Sequence, residues 1–91
     1  MSVEVKLPTL LRAQADGAPS VAAEGGTVGE IFTDLTTRFP GLAENLVDGE
    51  GKLHRFVNVY RNDDDIRYLD ALDTTVADGD VISILPAVAG G

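Results

Sequence analysis

The sequence contains no cysteine and one histidine. Without cysteine there can be no disulfide framework, thiolate metal site or cysteine nucleophile. His54 stands in no nucleophile motif, and we interpret it as a surface or loop residue rather than a member of a hydrolytic triad. These absences argue against an independent enzyme.

Basic residues are scarce: Lys and Arg number 7 against 15 Asp and Glu, for a net charge of −8. Nucleic-acid binding relies on clustered basic residues, so we predict none. The acidity serves either solubility or steering toward a basic partner surface, and both interpretations remain open. The apolar runs fall far short of the ~20 residues that cross a bilayer, and residues 1–7 do not resemble a signal peptide. We therefore expect no membrane span and a cytoplasmic protein.

The first half of the chain predicts two strands and a helix. Residues 2–7 and 20–24 have strand character, and the polar turn between them, with its tip at Asp16-Gly17, predicts a hairpin. Thr27 and Glu30 have the spacing of a capping box. A helical apolar stripe follows and ends at Pro40-Gly41, with another helical turn expected over 42–47. The residues of the stripe are Val28, Ile31, Phe32, Leu35 and Phe39.

The second half predicts three strands. Residues 56–60 are rich in β-branched and aromatic side chains. A turn over 62–65 leads to a short strand at 66–68, and connecting structure follows. Asp78-Gly79-Asp80 is a tight turn before a last strand over 81–85, which Pro86 ends. One capped helix between two groups of strands predicts an α+β domain with a mixed sheet, in the element order of the β-grasp, or ubiquitin-like, fold.

Residues 1–86 are expected to form this domain, and residues 87–91 a flexible tail. The tail is Ala87-Val88-Ala89-Gly90-Gly91, and fully extended it reaches about 17 Å. So slim a segment can thread a narrow channel and deliver the carboxylate of Gly91 to a buried site. The alternative is a frayed glycine tail with no role.

Several motifs resemble the ThiS and MoaD group of ubiquitin-like sulfur carriers, whose chains end in Gly-Gly. They are Asp78-Gly79-Asp80, the apolar last strand and the segment from Pro86 to Gly91. Within that group the sequence is most similar to the CysO type, the sulfur carrier of actinobacterial cysteine biosynthesis. The closer similarity lies in LPTLLR (7–12), GKLHRFVNVYRNDDDIR (51–67) and ILPAVAGG (84–91), and it extends over nearly the whole chain.

The resemblance implies three partner enzymes. An E1-like adenylyltransferase and sulfurtransferase joins the Gly91 carboxylate to AMP, and sulfur then replaces AMP to leave a thiocarboxylate. A pyridoxal-phosphate (PLP)-dependent cysteine synthase uses that sulfur on an aminoacrylate derived from O-phosphoserine, and a zinc peptidase releases cysteine. The protein would be their tethered substrate, with no cofactor of its own. Sulfur transfer to molybdopterin, thiamin or secondary metabolites, a protein modifier and a bare interaction module remain alternatives.

Strand alternation also predicts a docking surface. If Val57 and Val59 face the helix, then Phe56, Tyr60 and Leu85 face outward and form an apolar patch near the tail. The alternative is that a neighbouring loop covers the aromatic rings. The aspartates at 63, 64 and 65 lack the ligand spacing of an EF-hand loop, so we predict a solvated turn that rims the patch with negative charge rather than a metal site.

Overall fold

The computed structural model describes residues 2–46 and 57–86, except for the side chains of residues 44, 45 and 86. Within these ranges five strands form one sheet, in the order β2-β1-β5-β3-β4. Its central pair, β1 and β5, is parallel, and the other neighbouring pairs are antiparallel. The strands are β1 (Ser2–Lys6), β2 (Ser20–Glu24), β3 (Val57–Arg61), β4 (Asp64–Asp65) and β5 (Val81–Pro86).

The main helix packs on one face of this sheet. It is α2 (Val28–Arg38), and its buried side chains are those of Val28, Ile31, Phe32 and Leu35. Two single-turn helices, α1 (Thr9–Arg12) and α3 (Ala43–Leu46), lie before and after it in the chain. A mixed sheet with its parallel pair at the centre and one long helix on one face is the β-grasp fold, so the predicted fold is confirmed.

Alternation along the strands builds the sheet side of the core. In β1 the side chains of Val3 and Val5 are buried, while the residues between them are exposed. Val57 and Val59 in β3 and Ile82 and Ile84 in β5 are likewise buried, as predicted, while Asn58 and Ser83 between them are half-buried. These β-branched side chains meet the apolar stripe of α2 in a single cluster. Burial of the cluster is the main source of stability for so small a domain.

The capping box at the start of α2 is present with one difference. The N–H of Glu30 donates to Thr27 Oγ1 at 3.1 Å, as predicted. The Glu30 carboxylate, however, accepts from the N–H of Gly26 at 2.6 Å rather than from that of the N-cap residue Thr27. The contact brings the backbone of Gly25 close to the Glu30 side chain. A Cβ on Gly25 would lie 2.7 Å from Glu30 Cβ, so this position requires glycine. The glycines before the helix therefore serve its cap.

The connection between β1 and β2 is longer and more structured than a hairpin turn. The two strands do pair antiparallel. Between them α1 continues into a 3-10 turn, Ala13–Ala15, and the chain then reverses through Asp16 and Gly17 with φ of 57° and 83°. Leu11 and Ala15 are buried here. The helical connection covers one end of the core.

The prediction of a strand over residues 66–68 is wrong. Residues Ile66–Tyr68 form a 3-10 helix, and the strand that pairs with β3 is the preceding two-residue β4. The Asp65 side chain caps this turn by accepting from the N–H of Arg67 at 2.9 Å. Ile66 is fully buried in the turn, so a β-branched residue fills the core without a strand.

The remaining predictions differ in their outcomes. The helical turn expected after Pro40 is confirmed up to Leu46, as a 3-10 turn over Pro40–Leu42 followed by α3. In the connecting segment a further 3-10 turn, Ala71–Asp73, passes close to α2. His54 and the loop around it lie outside the described residues.

Candidate functional site

Strand β5 leads from the centre of the sheet toward the tail. It lies between β1 and β3, and its last residue, Pro86, is opposite Val57. Proline has no N–H to donate to a ladder, so it belongs at a strand end. The predicted site, Gly91, and the four residues before it lie outside the described residues.

The outward face of the β3–β5 pair carries an open cleft of about 230 Å³. Tyr60 lies directly opposite Ser83, and both are half-buried. Leu85 is two residues further along the same face and is 48% exposed. The structure therefore brings two of the three predicted docking residues to one cleft, while Phe56 lies outside the described residues. The full lining is Tyr60, Asn62, Asp63, Ser83 and Leu85.

Arg67 binds the exposed edge of β3 near the base of the tail. The N–H of Asn62 donates to the carbonyl of Val81 at 2.7 Å, which makes that pair hydrogen-bonded. Hydrogen-bonded and non-hydrogen-bonded pairs alternate along an antiparallel ladder, so the carbonyl of Val57, five residues before Asn62, points away from β5. It points toward the edge of β3 that the two-residue strand β4 leaves uncovered. Arg67 donates to this carbonyl and to Asn58 Oδ1, both at 2.6 Å. No pattern in the sequence distinguishes Arg67 from a solvated arginine.

The three consecutive aspartates have three different environments. Asp65 caps the turn that follows it. Asp64 is exposed and lies in β4 opposite Arg61. Asp63 is exposed and lines the cleft beside Tyr60. Only one of the three aspartates that were expected to rim the docking surface therefore lies in the cleft.

Asp80 directly precedes β5, at the end of the strand away from Pro86, and bonds it to the end of β3. Its carboxylate accepts hydrogen bonds from the N–H of Ala77 at 2.8 Å, Arg61 Nε at 2.8 Å and Asn62 Nδ2 at 3.3 Å. The bond from Ala77 N–H is the largest cause that lowers the pKa of Asp80, and the bonds from Arg61 and Asn62 act in the same direction against desolvation. The sequence predicted a turn here but not the bonds to Arg61 and Asn62, because these two partners are distant from Asp80 in the chain.

A second, larger groove of about 600 Å³ lies on the helix side of the molecule, between α2 and the turn Ala71–Asp73. Its lining includes Thr27 and Glu30, which already serve the helix cap. Within residues 2–46 and 57–86 no group of three or more His, Asp or Glu side chains is placed to hold a metal ion. The helices of the same ranges are all too short or too polar to cross a membrane.

The fold and the outward cleft define a ubiquitin-like protein, and comparison with known proteins gives its family. The sequence profile of the ThiS family matches residues 5–91. The sulfur carrier protein CysO of Mycobacterium tuberculosis is 50% identical over 93 residues, covering 100% of both chains. Small archaeal modifier protein 3 of Haloferax volcanii is 42% identical over 69 residues, covering 75% of this chain and 73% of that protein.

Solved structures give the same result. A chain in the crystal structure of the Amycolatopsis orientalis BexX/CysO complex is similar at 52% identity and a TM-score of 0.90, covering 98% of this chain and 99% of that one. The chain belongs to the ThiS family. The resemblance to sulfur carriers of the CysO type is therefore confirmed.

Proposed function

We propose that the protein is a sulfur carrier whose reactive group is the carboxylate of Gly91. The observation that carries this proposal is the end-to-end similarity to the sulfur carrier protein CysO, at 50% identity over both whole chains. The family profile extends to Gly91 as well. Within the domain, β5 supports the proposal because it is held on both sides by neighbouring strands and leads toward the last five residues.

The carboxylate of Gly91 is a poor electrophile and must be activated before sulfur can be added. A partner E1-like enzyme transfers AMP from ATP to the Gly91 carboxylate, releasing pyrophosphate and forming a mixed anhydride with a good leaving group. A sulfur nucleophile attacks the carbonyl carbon, and AMP leaves with one of the former carboxylate oxygens. The product is a thiocarboxylate, which stays anionic and nucleophilic at neutral pH. The carrier itself supplies no catalytic residue and acts as a substrate of its partners.

The domain contributes a rigid support and a recognition surface. Residues 87–91 would extend about 17 Å from Pro86, and their small side chains suit a narrow channel. Tyr60 and Leu85 would dock on the partner and fix the point from which the tail departs, and Phe56 would extend that surface. Arg67 would stiffen the neighbouring edge of β3 through its bonds to Val57 and Asn58.

We further propose that the sulfur is used for cysteine biosynthesis from O-phosphoserine, through a PLP-dependent synthase and a zinc peptidase. The similarity to CysO supports this destination over molybdopterin, thiamin or secondary-metabolite synthesis. A second candidate function is protein modification through Gly91, which the similarity to a small archaeal modifier protein favours. Both functions share the adenylation step, so they differ only in the acceptor.

Intact-protein mass spectrometry separates these functions. The full chain would be incubated with ATP, a sulfur source and the E1-like enzyme of its source organism. Exchange of one oxygen for sulfur supports the carrier, whereas isopeptide adducts support the modifier. A variant without Gly91 is the matched control, and it should keep the thermal stability of the wild type but acquire no sulfur. Sulfur loading of that variant would show that the proposed site is wrong.

A further inference from the structure

We propose that the cleft lined by Tyr60, Asn62, Asp63, Ser83 and Leu85 receives an arginine side chain of the E1-like partner. This inference rests on the proposed function, since it names the partner chemistry that the docking face of the carrier selects. In the complex the guanidinium would pair with the Asp63 carboxylate, and the aliphatic stem would lie against the Tyr60 ring. An apolar contact of the partner would cover Leu85.

The Asp63 carboxylate is available for such a pair. It makes no hydrogen bond or ion pair with any residue in the described ranges, and it is exposed at the tip of the turn between β3 and β4. Asp80, at the start of β5, is by contrast fully engaged by donors of this chain. An unpaired carboxylate beside an apolar ring favours a cation, because a charge-assisted bond gains strength where water is excluded.

The arginines of the described ranges are already used elsewhere in the fold. Arg61 binds Asp80, and Arg67 binds the edge of β3. Arg12 donates to the Leu7 carbonyl, and Arg38 pairs with Asp34. Lys6, which lies across β5 opposite Ser83, forms no ion pair with Asp63. No basic side chain of residues 2–46 and 57–86 therefore pairs with Asp63, which leaves this carboxylate open to a cation of another molecule, and the net charge of −8 would draw a basic surface toward it.

The shape of the cleft favours arginine over lysine. Val81, which lies opposite Asn62, and Leu85 are four residues apart along β5, or about 13 Å. One end of the cleft is thus apolar, at Leu85, and the other end is acidic, at Asp63 in the turn after β3. The half-buried Tyr60 ring lies between them beside Ser83. A guanidinium stacks on an aromatic face while it bonds a carboxylate, whereas an ammonium is a more strongly hydrated point charge.

A pair of neighbouring aspartates provides a matched test. Asp63→Lys reverses the charge inside the cleft, and Asp64→Lys makes the same change at an exposed position that does not line it. The measurement is ATP–pyrophosphate exchange by the E1-like enzyme at increasing carrier concentration. We expect Asp63→Lys to raise KM by about tenfold or more, and Asp64→Lys by about twofold or less. The kcat at saturation should stay unchanged for both, because both aspartates follow β3 at the end of the sheet opposite Pro86 and neither belongs to the reacting Gly91.

Equal effects of the two reversals on KM would overturn the proposal, since they would reflect only the change in net charge. Asp63→Asn keeps the shape of the side chain and should raise KM less than Asp63→Lys does. Tyr60→Leu removes the ring face and should also raise KM, and an unchanged KM for both of these variants would contradict the arginine site. Sulfur loading of the wild-type chain reports on the proposed function independently of which aspartate matters.

Discussion

Asp80 and Asp63 are aspartates of the same β3–β5 region with opposite surroundings. The Asp80 side chain is 14% exposed and accepts hydrogen bonds from a backbone N–H, an arginine and an asparagine. The Asp63 side chain is exposed in an open cleft and accepts none within the described ranges. Identical side chains are thus used once to anchor the fold and once, by our proposal, to bind a partner.

The difference extends to the two ends of β5. At its start, Ser2 donates to Asp78 at 3.1 Å, and the N–H of Glu4 donates to the Asp80 carbonyl at 3.1 Å. These bonds join the first strand of the chain to the last. Toward its other end the outward side of β5 presents Leu85, half exposed, next to the cleft. One end of the strand holds the domain together, and the other leaves a surface free for recognition.

The largest expected effect separates the two faces of β5. Ile84 is 1% exposed, so Ile84→Ala should lower the free energy of unfolding by about 3 kcal/mol through lost burial and a residual cavity. Leu85→Ala, one residue further, should change it by about 0.5 kcal/mol while weakening partner binding. Urea unfolding followed by far-UV circular dichroism measures both. Similar losses of stability would show that Leu85 belongs to the core rather than to a docking face.

The two aspartates should differ in stability by somewhat less. Asp80→Asn removes the charge that three donors share, and we expect a loss of about 2 kcal/mol in unfolding free energy. Asp63→Asn should stay within about 0.5 kcal/mol of the wild type, because no donor in the described ranges depends on it. The same urea titrations test this pair. A stability loss at Asp63 as large as that at Asp80 would break the distinction between anchor and recognition site.

Lowering the pH should test the stabilising role of the Asp80 carboxylate separately. The pKa of Asp80 in the folded state is lowered from its ordinary value of 3.8, so the folded protein binds this proton less readily than the unfolded chain does. Its stabilisation is therefore complete above the unfolded value and is lost as pH falls through the folded value. Melting temperatures measured from about pH 6 down to about pH 2 should show the wild type and Asp80→Asn converging below pH 3.8. A constant difference across that range would contradict a titrating anchor.

The smallest expected loss of stability concerns Thr27, the N-cap residue of α2. The segment before β5 holds the start of α2, since the N–H of Val28 donates to the Thr74 carbonyl at 2.9 Å. Thr27→Ala removes the side-chain cap and should cost about 1 kcal/mol in unfolding free energy, whereas Thr27→Ser should retain most of it. Sulfur loading of both variants at a temperature well below melting should equal that of the wild type. Reduced loading of the folded Thr27→Ala variant would link the helix to partner recognition.

Sequence patterns predicted the parts of this fold that depend on neighbouring residues. Alternation gave the inward faces of β1, β3 and β5, and the spacing of Thr27 and Glu30 gave the start of α2. Tyr60 and Leu85 were placed on a shared outward face for the same reason, because side chains alternate strictly along a strand. The Gly91 site came from family resemblance and not from these patterns.

Contacts between distant residues could not be predicted in this way. The parallel pairing of β1 with β5 joins the two ends of the chain, and no local pattern specifies it. In β4 two aspartates, which are poor strand formers, are held in place by the turn at Asn62 and by pairing with β3. The helix α1 had only a weak signal, since Pro8 is its N-cap residue and makes no side-chain cap hydrogen bond, one position before the first helical residue that proline favours. Arg67 had none, because its partners are set by tertiary structure.

The most direct test of the proposed carrier is the position of the sulfur. The chain would be loaded with the E1-like enzyme, ATP and a sulfur source, and its C-terminal peptide sequenced by tandem mass spectrometry. The account predicts sulfur in place of one carboxylate oxygen on Gly91 and on no other residue. Sulfur found elsewhere in the chain, or a Gly91 carboxylate that stays unmodified while the enzyme consumes ATP, would contradict it.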